Sequence, residues 1–150
     1  MNKFIIRKST TKDIEYLKSI CATVFGDSKK FINDFFSEFS NAGYAIVGVL
    51  DNVPISMALV LDSISYKGQK GAYIYSVATL PEHRGKGFGE KIVTYSVESA
   101  KKSGCKFIAI SPAEQSLYDW YDKISNFKAT MFCNESSIGY LNQFKYNYKV

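Results

Sequence analysis

The chain has 150 residues, of which 46% are hydrophobic and 22% are charged, a composition typical of one folded domain and not of a disordered or fibrous protein. Lys and Arg together number 19 against 14 acidic residues, which gives a net charge of +5. The basic residues are scattered and form no long cluster, so the sequence does not favour a nucleic-acid partner. A modest positive charge is compatible with a small anionic ligand.

Cysteine usage and hydropathy indicate a compartment. The three cysteines, Cys21, Cys105 and Cys133, lie far apart without CxxC spacing, so we expect free thiols in the reducing cytoplasm. No run approaches the roughly 18 apolar residues of a membrane span, and the first residues contain too few apolar ones for a signal peptide. We therefore expect a cytoplasmic protein with no membrane partner. Because there is one histidine and no clustered cysteine, we expect no catalytic metal.

Apolar periodicity in the N-terminal half predicts one strand, two helices and a hairpin. Helical spacing begins after a Ser-Thr-Thr segment, which supplies a helix cap, and it stops at a glycine. The second helix carries an aromatic stripe, which predicts packing against the core. The predicted elements are a strand at 4–7, helices from 9–11 to Gly26 and from Ser28 to 41–43, and strands at 44–50 and 55–64 joined by a turn at 51–54.

The C-terminal half predicts a βαβ unit followed by a short helix and a closing strand pair. Strand, glycine loop, helix and strand follow one another within about forty residues, so the two strands should be parallel neighbours. The predicted elements are strands at 72–79 and 106–110 around a helix at 88–102, a helix at 117–124 capped by Ser116, and antiparallel strands at 127–132 and 140–148. The whole predicts an α+β fold with a mixed sheet of about seven strands.

The segment HRGKGFGE at residues 83–90 lies between a predicted strand and a predicted helix. A helix start exposes several unpaired N–H groups and a partial positive charge, which together favour an anion. Gly85, Gly87 and Gly89 place no Cβ in the way of a phosphate, and Arg84 and Lys86 can add charge at the rim. The loop therefore predicts a diphosphate site built mainly from main-chain amides.

Two other phosphate-binding loops do not fit this segment. The GxxxxGK[ST] loop is absent, because no Gly-Lys-Ser or Gly-Lys-Thr occurs in the chain. The GxGxxG dinucleotide loop needs an acidic residue at the end of the second strand, whereas residues 85–90 read GxGxGE and the second strand ends in Ile110-Ser111.

The segment VATLPEHRGKGFG at residues 77–89 closely resembles the acetyl-CoA signature of the GNAT superfamily of N-acetyltransferases. In that signature, Arg or Gln is followed by two residues, Gly, one residue, and Gly or Ala. Arg84, Gly87 and Gly89 occupy those positions.

A second segment, WYDKISNF at residues 120–127, resembles the family's FYEKLGF segment, with Ser125-Asn126 in place of its single glycine. The likeness covers nearly the whole chain. It implies one N-acetyltransferase domain at residues 1–150 with the GNAT-type α/β/α fold, in which a bulge splays the two parallel strands.

The resemblance implies acetyl-CoA as co-substrate, with Tyr121 at the family's acid position. Its phenol would protonate the departing thiolate, because an ordinary tyrosine pKa of about 10 lies near the thiol value of about 8.5. Tyr118, one helical turn earlier, is the tyrosine that could be confused with it. The implied cofactor-binding residues are Val77, Ala78 and Thr79 beside the pantetheine arm, and Arg84, Gly85, Lys86, Gly87, Phe88, Gly89 and Glu90 at the diphosphate.

The general base stays open. In several family members a glutamate on the strand before the signature accepts the amine proton through water, whereas residues 72–76 (AYIYS) contain no carboxylate. The alternatives are a water relay to Tyr73, Tyr75 or Ser76, a carboxylate from the first two helices such as Asp27 or Glu38, or an amine that arrives neutral. His83 is expected at the rim of the loop without a catalytic role.

These features predict an acetyl-CoA-dependent N-acetyltransferase that acts on a small-molecule amine or a protein amino group. The missing carboxylate keeps a non-catalytic module that binds CoA or acyl-CoA as an alternative, and a homodimer is also open. We expect the acceptor pocket to lie among the first two helices, the turn at Tyr66 and the last strands. The aromatic residues expected to line it are Phe31, Phe35, Tyr44, Tyr140 and Tyr146.

Overall fold

The computed structural model describes residues 3–125, and at Gln115 and Ser125 it describes the backbone alone. The strands predicted at 127–132 and 140–148 therefore lie outside the described residues. Within them the elements are β1 (Phe4–Lys8), α1 (Ile14–Phe25), α2 (Lys29–Ala42), β2 (Gly43–Leu50), β3 (Val53–Tyr66), β4 (Gln69–Thr79), α3 (Phe88–Lys102), β5 (Phe107–Ile110) and α4 (Gln115–Ser125). Single 3₁₀ turns occupy Thr11–Asp13 and Pro81–His83.

The first two helices begin and end where the predicted caps lie. Before α1, the carboxylate of Asp13 accepts hydrogen bonds from the Thr10 amide at 2.6 Å and from the Arg7 guanidinium at 2.7 and 3.0 Å. Gly26 closes α1 in the left-handed conformation, with φ +69°. The Ser28 hydroxyl oxygen then accepts from the Phe31 amide at 3.2 Å and caps α2. Both predicted helices are confirmed.

Several predicted boundaries are wrong: β3 ends at Tyr66 and not at residue 64, β4 begins at Gln69 and not at residue 72, and two further differences have a local cause. The turn predicted at 51–54 contains only Asp51 and Asn52, both left-handed with φ +48° and +71°, and β3 already begins at Val53. Two left-handed residues close a hairpin more tightly than a four-residue turn. The last described helix begins at Gln115, since the Leu117 amide already donates to the Glu114 carbonyl at 3.1 Å, so Ser116 lies inside the helix.

The described strands form a five-stranded mixed sheet in the order β1-β2-β3-β4-β5. The first four strands are antiparallel, and β4 and β5 form the predicted parallel pair. Five strands are present in residues 3–125, and not about seven. Helices α1 and α2 cover one face around Leu17, Ile20 and Ile32, and α3 and α4 cover the other around Ile92 and Val93, which gives three α/β/α layers.

A β-bulge interrupts β4 at Tyr75. Leu59 of β3 pairs with Ser76, whereas the next residue, Val60, pairs with Ile74, so Tyr75 is the extra residue. The parallel pairing of β4 with β5 ends at Ile74 opposite Ile110. Residues 75–79 of β4 therefore extend past the last residue paired with β5, and a bulge of the kind that the resemblance implies lies at the start of this segment.

The described cysteines, Cys21 and Cys105, are free and buried, as the sequence predicts, whereas Cys133 lies outside the described residues. None of the helices within residues 3–125 has the length and hydropathy needed to cross a membrane.

Candidate functional site

A cavity of about 720 Å³ lies between the end of β4, the glycine loop and α4, and we call it the loop cavity. Ten of the eleven residues that the sequence assigns to the site line it, and Lys86 does not. Its described lining is Val24, Val77, Ala78, Thr79, His83, Arg84, Gly85, Gly87, Phe88, Gly89, Glu90, Glu114, Ser116, Leu117, Trp120 and Tyr121.

The glycine loop has two left-handed residues. Gly85 has φ +74° and Gly87 has φ +78°, and no described atom lies within 4 Å of a Cβ built on either. Gly89 differs, because its φ is not left-handed and a Cβ there would lie 3.6 Å from the Trp120 ring. Two of the three glycines are therefore required by the backbone, and the third leaves room beside α4.

The amides that follow Arg84 are unpaired. The Arg84 amide itself donates to the Pro81 carbonyl at 3.2 Å, so it is not available to a ligand. In residues 3–125 no hydrogen bond uses the amides of residues 85–90, and Gly87, the N-cap of α3, offers no side chain to cap them. Six donors at the positive end of a fifteen-residue helix form the kind of site that an anion occupies.

Two cationic side chains of the loop fold back onto main-chain carbonyls. Arg84 Nε donates to the Thr79 carbonyl at 3.0 Å and thereby ties the loop to the end of β4. Lys86 Nζ lies 3.4 Å from the Glu82 carbonyl, outside the lining of the loop cavity. His83 lines the cavity, and its buried Nδ1 has no hydrogen-bond partner in the described part of the chain.

The free edge of β4 beyond Ile74 presents main-chain groups to the loop cavity. The Leu80 amide donates to the Ile55 carbonyl at 3.0 Å, and the Ala78 carbonyl accepts from Ser56 Oγ at 3.0 Å, so residues 78 and 80 face β3. Since backbone groups of an antiparallel strand alternate in direction, those of Val77 and Thr79 face the opposite edge. The bond from Arg84 to the Thr79 carbonyl agrees with this direction.

Tyr121 of α4 reaches the loop cavity, and Tyr118 does not line it. The Tyr121 side chain is 7% exposed and packs edge-on against Trp120, with ring centroids 4.8 Å apart. Burial raises the pKa of its phenol to about 12, so the hydroxyl stays protonated at neutral pH.

A second cavity of about 310 Å³, which we call the aromatic cavity, lies between α1, α2 and β4. Of the five candidate bases it contains Asp27, Tyr75 and Ser76, whereas Tyr73 and Glu38 do not line it. Its described lining is Cys21, Phe25, Asp27, Phe31, Ile32, Phe35, Phe36, Leu59, Tyr75 and Ser76. Within residues 3–125, no three His, Cys, Asp or Glu side chains are grouped so that they could hold a metal ion.

The two cavities adjoin along β4 and α1. Ser76 lines the aromatic cavity and the next residue, Val77, lines the loop cavity. On α1, Phe25 lines the aromatic cavity and its neighbour Val24 lines the loop cavity. A ligand in the aromatic cavity would therefore lie beside the part of β4 that extends past its pairing with β5.

Of the aromatic residues expected in an acceptor pocket, Phe31 and Phe35 line the aromatic cavity and Tyr44 does not. Successive residues of a strand point to opposite faces, so Tyr44 packs on the α3 face while its neighbour Ala45 packs on the α1 face. The Lys8 ammonium lies 4.1 Å from the Tyr44 ring centroid on that side. Tyr140 and Tyr146 lie outside the described residues.

Several lining residues were not singled out as site residues by the sequence. Val24 and Cys21 lie one turn apart in the apolar stripe of α1, which predicts only core packing. Trp120 and Leu117 belong to the apolar side of α4 in the same way. Nothing in their local pattern separates a cavity wall from a core position.

Comparisons with known proteins agree with this geometry. The sequence model of the Acetyltransferase (GNAT) family matches residues 12–127. The crystal structure of a transcriptional regulator from Bacillus halodurans C-125 is similar, with a TM-score of 0.75 and 25% identity, over 89% of this chain and 98% of that chain. A putative acetyl transferase from Pyrococcus furiosus gives a TM-score of 0.76 at 18% identity, over 89% of this chain and 98% of that chain.

A third similar structure is a GNAT family acetyltransferase from Brucella melitensis in complex with acetyl-CoA, with a TM-score of 0.68 and 18% identity, over 85% of this chain and 84% of that chain. No curated protein matches the sequence. The two structures at 18% identity support the fold alone, and the family match extends from Lys12, in the 3₁₀ turn before α1, past the end of α4. The chain therefore belongs to the GNAT family of acetyltransferases.

Proposed function

We propose that the protein is an acetyl-CoA-dependent N-acetyltransferase that transfers the acetyl group to a primary amine by direct attack in a ternary complex. One observation carries the proposal: six unpaired amides at 85–90, the free edge of β4 and Tyr121 line the same cavity. Members of the family use acyl-CoA, and the Brucella melitensis relative was solved with acetyl-CoA.

Each part of acetyl-CoA has a matching part of the loop cavity. The diphosphate would accept hydrogen bonds from the amides of residues 85–90, at the positive end of α3. The pantetheine arm has amide groups of its own and would pair with the outward main-chain groups of Val77 and Thr79, as an added strand does. The cavity of about 720 Å³ lies within the usual range of ligand sites.

The proposed reaction transfers the acetyl group from the sulfur of CoA to the nitrogen of the amine. The amine lone pair forms the new bond to the thioester carbon, and the carbon–sulfur bond breaks with its electron pair on sulfur. The amine loses one proton to water, and the thiolate receives a proton or a hydrogen bond from the phenol of Tyr121, which solvent then restores.

The pKa of Tyr121 decides how far that proton moves. A phenol at about 12 lies roughly 3.5 units above a solution thiol at about 8.5, so complete transfer would cost about 5 kcal/mol. Burial acts on thiols in the same direction, as at Cys21, where burial first and the charge of Asp27 second raise the pKa to about 11. In a closed site the gap between the two pKa values is therefore smaller than in solution, so that Tyr121 can donate a hydrogen bond to the forming thiolate and share its proton with it.

A non-catalytic CoA-binding module is the second candidate. Two observations favour it: residues 72–76 of β4 contain no carboxylate, and the relative at 25% identity is described as a transcriptional regulator. Such a module would bind CoA through the same amides without releasing free thiol in the presence of an amine.

Thiol release from acetyl-CoA across a panel of amines separates the two candidates. We expect amine-dependent release, and we expect Tyr121→Phe to lower kcat by about 10²-fold while the Kd for CoA, measured by calorimetry, stays unchanged. Tyr118→Phe is the control and should keep kcat. CoA binding without release would favour the module, and absence of binding by any CoA species would contradict both.

A further inference from the structure

We infer that the aromatic cavity selects the acceptor, and that this acceptor is a compact primary amine with one ammonium group on an aromatic body, held by Asp27. The inference rests on the proposed function, because it names the substrate class of that reaction.

The walls of the cavity suit a flat apolar group. Phe31 stacks on Phe35 with centroids 6.2 Å apart, and Phe35 stacks on Tyr75 with centroids 5.2 Å apart and an interplanar angle of 19°. Phe31 and Tyr75 nevertheless stay 48% and 43% exposed in the free protein. A ring laid against them removes apolar surface from water on both sides and can add stacking contacts.

Asp27 is the only charged side chain among the described residues of this cavity. It lies between the left-handed Gly26 that closes α1 and the Ser28 that caps α2, so two helix ends hold its backbone in place. Within residues 3–125 its carboxylate takes part in no hydrogen bond or ion pair. The carboxylate can therefore pair with the one ammonium group of a ligand, and this ammonium loses a proton to water before its nitrogen attacks the thioester carbon.

Charge and size exclude other amines. A polyamine would bring further cations against walls of Phe and Ile, where each unpaired charge is costly, and a free amino acid would bring a carboxylate towards that of Asp27. A volume of about 310 Å³ is at the low end for ligand sites, which favours a compact molecule over a peptide.

The location also suits transfer. Ser76 and Val77 are consecutive, and they line the aromatic and the loop cavity respectively. An amine held by the aromatic cavity would thus lie beside the strand edge along which the thioester is proposed to arrive.

The test compares 2-phenylethylamine, spermidine and a lysine-containing peptide as acceptors in the thiol-release assay. We expect kcat/KM for 2-phenylethylamine to exceed that of the other two by at least 10-fold. Asp27→Asn should lower it at least 10-fold, mainly through KM, whereas Asp34→Asn should leave it unchanged, because Asp34 pairs with Lys30 on the exposed side of α2. A faster reaction with spermidine or the peptide, or an unchanged Asp27→Asn variant, would overturn the inference and leave the proposed function standing.

A second pair of variants tests the walls. Phe31→Ala should weaken the preference for 2-phenylethylamine over butylamine, whereas Tyr16→Ala, which removes an equally exposed ring of α1 outside the cavity, should keep it. Equal effects of the two variants would count against the inference.

Binding of 2-phenylethylamine in the presence of CoA, measured by calorimetry, is the readout that does not require turnover. If no amine is acetylated, the proposed function fails. In that case the cavity is not an acceptor site; weaker binding of 2-phenylethylamine to Asp27→Asn than to the wild type still supports the amine-binding part of the inference, and equal or absent binding overturns that part too.

Discussion

Gly87 has two proposed roles: its backbone forms the turn into α3, and its lack of a side chain leaves space in front of the loop amides. Replacing Gly87 by valine tests both roles, because they affect different measurements. The backbone of Gly87 has φ +78°, and no described atom lies within 4 Å of its Cβ position. The added Cβ therefore contacts no described atom, and we expect the effects of the substitution to come from the left-handed backbone and from the ligand space that the side chain occupies.

The first effect is on folding. A residue other than glycine in the left-handed region costs about 1–3 kcal/mol, so the free energy of unfolding should fall by about that amount. Gly104→Val is the matched control, because Gly104 has φ +87° and an equally open Cβ position but does not line the loop cavity. Urea unfolding should show similar losses for both variants.

The second effect is on binding and is specific to Gly87. Its new side chain lies before the amides of residues 85–90, and displacing a diphosphate from two of them forfeits two charge-assisted hydrogen bonds of about 1.5–3 kcal/mol each. The total of about 3–6 kcal/mol corresponds to a Kd for CoA at least 100-fold weaker. Calorimetry at constant salt measures it. A wild-type Kd for Gly87→Val, or an equal loss for Gly104→Val, would refute the reasoning.

Three further outcomes are expected. Hydrogen bonds from Arg7 hold the pKa of Asp13 at about 2. About 2 kcal/mol of the free energy of unfolding should therefore be present above pH 4 and be lost as pH falls towards 2. The urea midpoint of the wild type should fall over this pH range, and that of Asp13→Asn should not show this decrease. The raised pKa of Tyr121 means that the unfolded chain loses its phenol proton first, so stability should fall as pH rises from 10 towards 12 in the wild type and less in Tyr121→Phe, compared by thermal melts. Arg84→Gln should weaken CoA binding about 10-fold, whereas Lys86→Gln, outside the cavity lining, should change it less than about 2-fold; the reverse order would show that Lys86 reaches the diphosphate.

The sequence predicts the local features of the fold well because they depend on a few neighbouring residues. Gly26 and Ser28 mark the junction of α1 and α2 at the predicted positions, since a left-handed residue ends a helix and a hydroxyl caps the next one. The hairpin turn was predicted too long, because the left-handed φ of Asp51 and Asn52 is one of several conformations those residues adopt.

The candidate site, like the fold, was predicted where it depends on neighbouring residues and was not predicted where it depends on distant ones. Gly85 and Gly87, followed at once by a helix, predict unpaired amides within the eight residues 83–90, and in the described part of the chain the amides of residues 85–90 have no partner. The likeness to a known signature added the identity of the anion and the candidate Tyr121. The hydrogen bond from the Arg84 amide to the Pro81 carbonyl was not predicted, because it belongs to a 3₁₀ turn that the local sequence pattern does not indicate.

What the sequence could not supply depends on the register of strands that are distant along the chain. Pairing of β4 with β3 slips at Tyr75 and pairing with β5 ends at Ile74, and side-chain packing across three strands sets both events. The open strand edge follows from that register, and the aromatic cavity, which contains both Asp27 and Ser76, also requires α1 and α2 to pack on the sheet beside it. Neighbouring residues are enough to form the candidate anion site, whereas the assembled sheet is needed to place a second cavity beside it.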